Sequence, residues 1–213
     1  MGIPVLVLGE SGSGKSSSLR NFDIAEVGII NVAGKPLPFR KKLNSVTCDN
    51  YETIKSILCK NAINTYVIDD SQYLMAFELF NRARENGYGK FTDIALNFKG
   101  LIDTVIHKTS ADTIVYFLHH IETDNQNGRT KAKTIGKMLD DKLTVEGLFS
   151  IVLEAQVKDK KYLFATRNSG VNTVKTPMEM FATEYIDNDL KMVTQSIREY
   201  WGLNNTTKGA KSR

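Results

Sequence analysis

Apolar, mostly β-branched runs recur along the chain at residues 3–8, 27–32, 65–68, 113–118, 150–157 and 162–166. Several are almost unbroken rather than alternating, which is the pattern of strands buried on both faces of a parallel sheet. Helical spacing lies between them. Residues 50–60 place Tyr51, Ile54, Ile57 and Leu58 on one side, with Asp49 or Asn50 as the cap. Residues 71–86 read as a second helix stopped at Gly87. Residues 92–108 read as a third, through Ile94, Phe98, Leu101, Ile102 and Val105. A last amphipathic helix over 189–201 presents Leu190, Val193, Ile197 and Trp201. Strands alternating with helices predict an α/β fold, a doubly wound and mainly parallel sheet. The runs at 150–157 and 162–166 are joined by only four residues, Lys158 to Lys161, so they predict an antiparallel hairpin near the C-terminal edge.

The chain of 213 residues suits one domain, over 1–203, followed by a polar, basic tail at 204–213 expected to be disordered. A net charge of +4 permits a nucleic-acid partner without requiring one. The two cysteines, Cys48 and Cys59, match no metal or redox spacing and read as reduced thiols of a cytoplasmic protein. No apolar run approaches the roughly 18 residues of a membrane span, so no membrane partner is expected.

Chemistry enters directly after the first strand, with "GESGSGKSSS". Gly9, four residues, then Gly14-Lys15-Ser16 is the G-x-x-x-x-G-K-S spacing of a phosphate-binding loop. Gly9, Glu10, Ser11, Gly12, Ser13, Gly14, Lys15, Ser16 and Ser17 are the expected nucleotide contacts. The glycines let successive N–H groups turn toward a phosphate, and a helix starting near Lys15 adds its positive end. Lys15 would meet the β- and γ-phosphates of ATP, and Ser16 a Mg²⁺ ion. "TYVIDDSQYL" supplies an acidic pair, Asp69 and Asp70, at the end of a buried strand. In one reading Asp69 joins Ser16 at the metal and Asp70 polarises water; in the other Asp70 is the metal-side residue and Asp69 supports it. "IVYFLHHIE" ends another buried strand in His119-His120, placed to sense a γ-phosphate. His107 reads as a surface residue.

Gly9–Ser16, "VIDDSQYL", "YFLHHIE" and "VLEAQVKDKKYLFATRNSG" together resemble phage-encoded RecA-like ATPases, a group that includes the phage single-strand annealing ATPases. The resemblance covers most of residues 3–177. It implies a RecA-like core, ATP and Mg²⁺, single-stranded DNA as partner, and work in phage recombination or replication. It further implies a ring or filament of identical chains, other phage replication proteins nearby, and the cytoplasm of a bacterial host. Lys15, Ser16, Asp69, Asp70 and His120 carry the corresponding roles. One departure stands out. RecA-like ATPases place a catalytic glutamate just after the second strand, and here "AGKPLPFRKK" has no acidic residue.

That stretch carries Lys35, Arg40, Lys41 and Lys42 around two prolines and reads as a solvated basic loop. "NQNGRTKAKTIGKM" offers a second cationic surface, a mobile loop whose Arg129, Lys131, Lys133 and Lys137 would follow a DNA backbone. Arg167 is placed to reach a neighbouring subunit's γ-phosphate. Two other classes share the phosphate loop: a small-molecule kinase, with Arg82 and Arg84 on the helix after the acidic pair, and a weakly hydrolysing adaptor such as a helicase loader.

Overall fold

A computed structural model describes residues 1–124, 128–136 and 138–204. The chain folds as a mixed α/β structure around one mostly parallel sheet. In chain order the strands are β1 (Ile3–Gly9), β2 (Gly28–Asn31), β3 (Ser45–Thr47), β4 (Thr65–Asp69), β5 (Ile114–Thr123), β6 (Thr130–Ala132), β7 (Ile151–Lys158), β8 (Lys161–Ala165) and β9 (Tyr185–Asp187). The helices are α1 (Tyr51–Cys59), α2 (Gln72–Asn81), α3 (Gly89–Lys108) and α4 (Leu190–Trp201). Across the sheet the order is β3-β2-β4-β5-β1-β7-β8-β9, with β6 attached to the end of β5.

Every pair from β3 to β7 is parallel, so their carboxyl ends share one edge of the sheet. Both faces are covered, which is why these strands read as continuous apolar runs. One face presents Leu6, Leu8, Ile68, Phe117 and Val152 to α1, α2 and α3. The other presents Val5, Val7, Val67, Tyr116 and Leu153 to α4 and to Leu19 and Phe22. The expected hairpin is present: β7 and β8 pair antiparallel from Glu154↔Ala165 to Lys158↔Lys161. Its two-residue turn holds Asp159 at φ 51° and Lys160 at φ 62°, the left-handed angles that a tight hairpin turn demands.

Three expectations change. The second helix ends at Asn81 rather than running to residue 86. Arg82 leaves the helix at φ −101°, its guanidinium held by Glu78, Glu85 and Asp93. The helix after the phosphate loop is a single 3₁₀ turn, Ser16–Leu19. There Ser18 Oγ donates to the Lys15 carbonyl at 2.5 Å, capturing an acceptor that an α-helix would offer to a backbone N–H four residues on. Finally, residues 130–132 form a strand rather than loop, because Ile121–Thr123 extend β5 beyond the sheet and pair with them. The expected tail falls almost wholly on residues 205–213, outside the described residues. Among the described residues no helix is long and apolar enough to cross a membrane.

The last helix is fixed at both ends. Asp189 accepts from the Lys191 and Met192 N–H groups, and Gly202 closes the helix in the left-handed conformation. Asp189 also accepts a 2.7 Å bond from Asn21, just after the 3₁₀ turn, which ties α4 to the phosphate-loop segment. Replacing Asp189 by Ala removes the cap and this tie, at an expected cost of about 1–2 kcal/mol. Asp189→Asn keeps a capping oxygen and should recover most of that loss. Urea denaturation of both variants checks this; equal losses would show that the cap contributes nothing specific.

Candidate functional site

The phosphate loop leaves β1 at the shared carboxyl edge. A Cβ on Gly9 would sit 2.4 Å from Ser13 Oγ and 2.9 Å from the Ala155 carbonyl, so only glycine fits there. Gly14 adopts φ 95°, and a Cβ on it would meet the Tyr162 ring at 2.6 Å. Lys15 folds over the loop, its ammonium donating at 2.7 Å to both the Gly9 and Glu10 carbonyls. It is only 6% exposed. Burial lowers its pKa to about 8, against the raising influence of Asp70 and Asp69. With only one 3₁₀ turn behind the loop, the helix dipole adds little, and the loop amides and Lys15 dominate the positive potential.

The strand order brings the acids to the loop. β5 lies between β1 and β4, so Asp69 and Asp70 reach the site from one strand beyond the histidine-bearing one. Ser16 Oγ donates to Asp69 Oδ1 at 2.9 Å. Asp69 is 5% exposed, and its pKa is raised by burial and by Asp70 despite the Ser16 bond. Asp70 turns the other way, at φ 60°, a left-handed angle uncommon outside glycine. Its Oδ2 lies 2.5 Å from Lys35 Nζ and its Oδ1 3.3 Å from His120 Nε2. Burial pushes the Asp70 pKa up, but His120 and Lys35 outweigh it and hold the carboxyl at about 2. The two acids therefore have separate partners, one facing Ser16 and the other facing two cationic or proton-bearing side chains.

The adjacent histidines also diverge. Strand alternation turns His119 toward α3, where its ring lies 5.5 Å from that of Phe98. His119 Nε2 lies 2.9 Å from the Lys133 carbonyl and must donate to it, so Nδ1 accepts from Ser71 Oγ at 2.9 Å. It holds β5, the start of α2 and the segment after β6 together, and has no place in the cleft. His120 does line the cleft. Its Nε2 is out of line for a hydrogen bond with Asp70 and has no aligned partner, while its ring meets Tyr73 edge-on at 5.5 Å.

The result is a cleft of about 370 Å³. Ser11, Gly12, Gly14, Lys15, Ser16 and Ser17 line it from the loop, and Asp69, Asp70 and His120 line it from β5 and the end of β4. Of the remaining expected contacts, Gly9 and Glu10 hold Lys15 through their carbonyls, and Ser13 is buried under the loop. Lys35, Pro36, Pro38 and Tyr162 complete the lining, and sequence reasoning did not place them there. Lys35 was grouped with a solvated basic loop. The signal that finds it is topological: β2 ends at the same edge as β1 and β4, so its following loop returns over the cleft.

The cationic segment after β5 is less open than its sequence. Lys131 lies 3.3 Å from Glu122 across the β5–β6 pair. Lys133 and Arg129 are exposed, and the Lys133 backbone bonds to the His120 carbonyl. Lys137 lies outside the described residues. Arg167 donates to the Ala182 carbonyl at 3.0 Å and does not line this cleft.

Among the described residues no three His, Cys, Asp or Glu side chains converge as a metal cage. Mg²⁺ needs less, since it is held by one or two protein oxygens with phosphates and waters. Ser16 Oγ and Asp69 Oδ1, hard oxygens in contact in the cleft, fit that requirement.

His119 gives a pH test of this architecture. Burial lowers its pKa from 6.5 to about 4, against the Lys133 bond. The unfolded chain protonates this ring near its ordinary value and the folded chain only near the lower one, so the unfolded state binds more protons in between. Stability therefore falls as pH drops from about 6.5 to about 4, by up to about 3 kcal/mol. The contribution from Asp70, held near 2, is lost only below the ordinary carboxylate range. His119→Gln keeps a donor and an acceptor without titrating, and should flatten the stability slope over that window in urea titrations. An unchanged slope would contradict a neutral, buried His119.

The chain matches no protein-family model, and a search of curated proteins finds no significant match.

Proposed function

We propose that this chain binds ATP with Mg²⁺ at the phosphate-loop cleft and hydrolyses it. The observation that carries the reading is the 2.9 Å contact between Ser16 of the loop and Asp69 of β4, beside buried Lys15. It joins the two halves of a nucleotide site that lie 53 residues apart in sequence. Lys15 would leave the loop carbonyls for the β- and γ-phosphates, where a charge-assisted bond is worth more. Mg²⁺, held by Ser16 and Asp69, would offset the phosphate charge. Asp70 would orient the attacking water, taking the place of the glutamate missing after β2. His120 would donate to the γ-phosphate oxygens from the next strand. Water attacks the γ-phosphorus, the bond to the ADP oxygen breaks, and phosphate and ADP leave.

A RecA-like core is the proposed fold type. The insertion of β5 between β1 and β4 supports it, since this order sets a sensor strand between the phosphate loop and the acid pair. A homo-oligomer acting on single-stranded DNA in phage recombination or replication is the proposed setting, with Arg129, Lys131 and Lys133 as the described part of the DNA surface. Arg167 remains the proposed residue for a neighbour's nucleotide. The kinase reading is less well supported, because Arg82 is already engaged by three carboxylates away from the cleft.

Lys15→Ala should lower ATP turnover by roughly 100-fold or more, while the fold persists. Asp69→Asn should weaken Mg²⁺-dependent binding. Asp70→Asn should leave Mg²⁺-dependent binding no weaker and slow the chemical step by a similar order. Steady-state phosphate release with parallel binding titrations decides this; wild-type turnover in Lys15→Ala would remove the ATPase reading.

Single-stranded DNA should stimulate that turnover. Replacing Arg129, Lys131 and Lys133 by Ala should weaken oligonucleotide binding and reduce its salt slope by up to about three charges' worth. Unchanged affinity and slope would move the DNA surface elsewhere or remove DNA from the account.

A further inference from the structure

We propose that Lys35 is a second phosphate-binding lysine of this cleft, one that exchanges the Asp70 carboxylate for the terminal phosphate of a nucleoside triphosphate. This deepens the nucleotide reading and rests on it.

The backbone at Lys35 is anchored, while its side chain is largely exposed and held by a single ion pair. Asn31, the last residue of β2, donates from Nδ2 to the Lys35 carbonyl at 2.6 Å. Gly34 turns at φ 66°, Pro36 and Pro38 stiffen the cleft wall, and Leu37 and Phe39 pack onto the core. The Lys35 side chain is nevertheless 61% exposed, and it lines the same cleft as Lys15 and Ser16. Its ammonium is held to Asp70 Oδ2 and lies 5.6 Å from the Tyr73 ring centroid. An ammonium has three donors, and one carboxylate oxygen occupies only one of them. Its basic neighbour Lys41 is engaged elsewhere, by Asp23, so Lys35 is set apart from the rest of the basic loop.

Position gives the specificity. Lys15 sits on the Gly9 and Glu10 carbonyls of the loop, and Lys35 reaches the same cleft from the segment after β2, held at Asp70. A triphosphate whose first members sat on the loop would carry its last toward Asp70 and Lys35, and a diphosphate would stop short of them. The exchange replaces one carboxylate by a more highly charged phosphate, which competes well for a flexible, half-exposed ammonium. It also releases Asp70 Oδ2 to accept a hydrogen bond from water. Lys35 would thus report the third phosphate to the residue that handles the water.

The test compares Mg²⁺–ADP with the Mg²⁺ complex of the non-hydrolysable β,γ-imido triphosphate by calorimetry. Lys35→Ala should weaken the triphosphate roughly 10- to 100-fold and ADP less than about twofold. Lys35→Gln should behave alike, as it keeps length without charge. Asp70→Asn frees Lys35 in advance, so the preference for triphosphate over ADP should rise several-fold, and this gain should vanish in the Lys35→Ala/Asp70→Asn double variant. Equal effects of Lys35→Ala on both nucleotides, or none, would overturn the proposal. Lys15→Ala separates the two levels. If it weakens both nucleotides while Lys35→Ala does not discriminate, only the role of Lys35 falls; if it affects neither, the nucleotide reading itself falls.

Discussion

Three charged groups, Lys15, Asp69 and Asp70, are held 5–6% exposed at the carboxyl edge of a buried sheet. Removing charge from water is the most expensive thing a small fold does, and it is tolerated only where partners replace the lost solvation. Each group has its replacement: carbonyls for Lys15, a hydroxyl for Asp69, and an ammonium for Asp70, with the His120 imidazole 3.3 Å away. The replacement is incomplete for Lys15, whose pKa falls to about 8, and for Asp69, whose pKa is raised. An anion with a divalent cation would satisfy both residual demands at once. The site is thus electrostatically unfinished, and the proposed metal-bound polyphosphate is one group that would complete it.

Topology turns that constraint into geometry. Parallel strands deliver their following loops to one edge, and the order β2-β4-β5-β1 sets four of those loops side by side. The phosphate loop follows β1, the acid pair ends β4, His120 extends from β5, and Lys35 returns from β2. Asp70 adds a local contribution. Its left-handed backbone turns its side chain away from Asp69 and toward Lys35 and His120, and such strain persists where surrounding contacts over-determine it. Opposite, the β7–β8 hairpin brings Tyr162 onto Gly14, closing the loop from the far side.

Much of this was legible in the sequence, for reasons that differ between elements. The long parallel strands announce themselves as continuous apolar runs and α1, α3 and α4 through helical periodicity, and Asn50 caps α1 by accepting from the Thr53 N–H. β3, β6 and β9 are three residues each and carry no period to read. α2 ends well before Gly87, the stop that the sequence offers, with no glycine or proline at the point where it ends. Within the site, the loop is legible because its chemistry is contiguous. That Asp69, not Asp70, meets Ser16 could not be read from the sequence, which offers both acids side by side. The choice between His119 and His120 was open to strand alternation, since Leu118 and His120 must share a face. Lys35 was not legible, because a lysine beside two prolines looks alike in solvent and against a buried carboxylate.

The account stands on one claim, that the cleft beside Lys15 is a nucleoside triphosphate site completed by Mg²⁺. A calorimetric titration of the unmodified chain with ATP, in the presence of Mg²⁺ and again with the metal chelated, addresses it without any substitution. The account predicts saturable binding of one nucleotide per chain, weakened by roughly tenfold or more when the metal is removed. No saturable binding up to millimolar ATP, or binding indifferent to Mg²⁺, would contradict it.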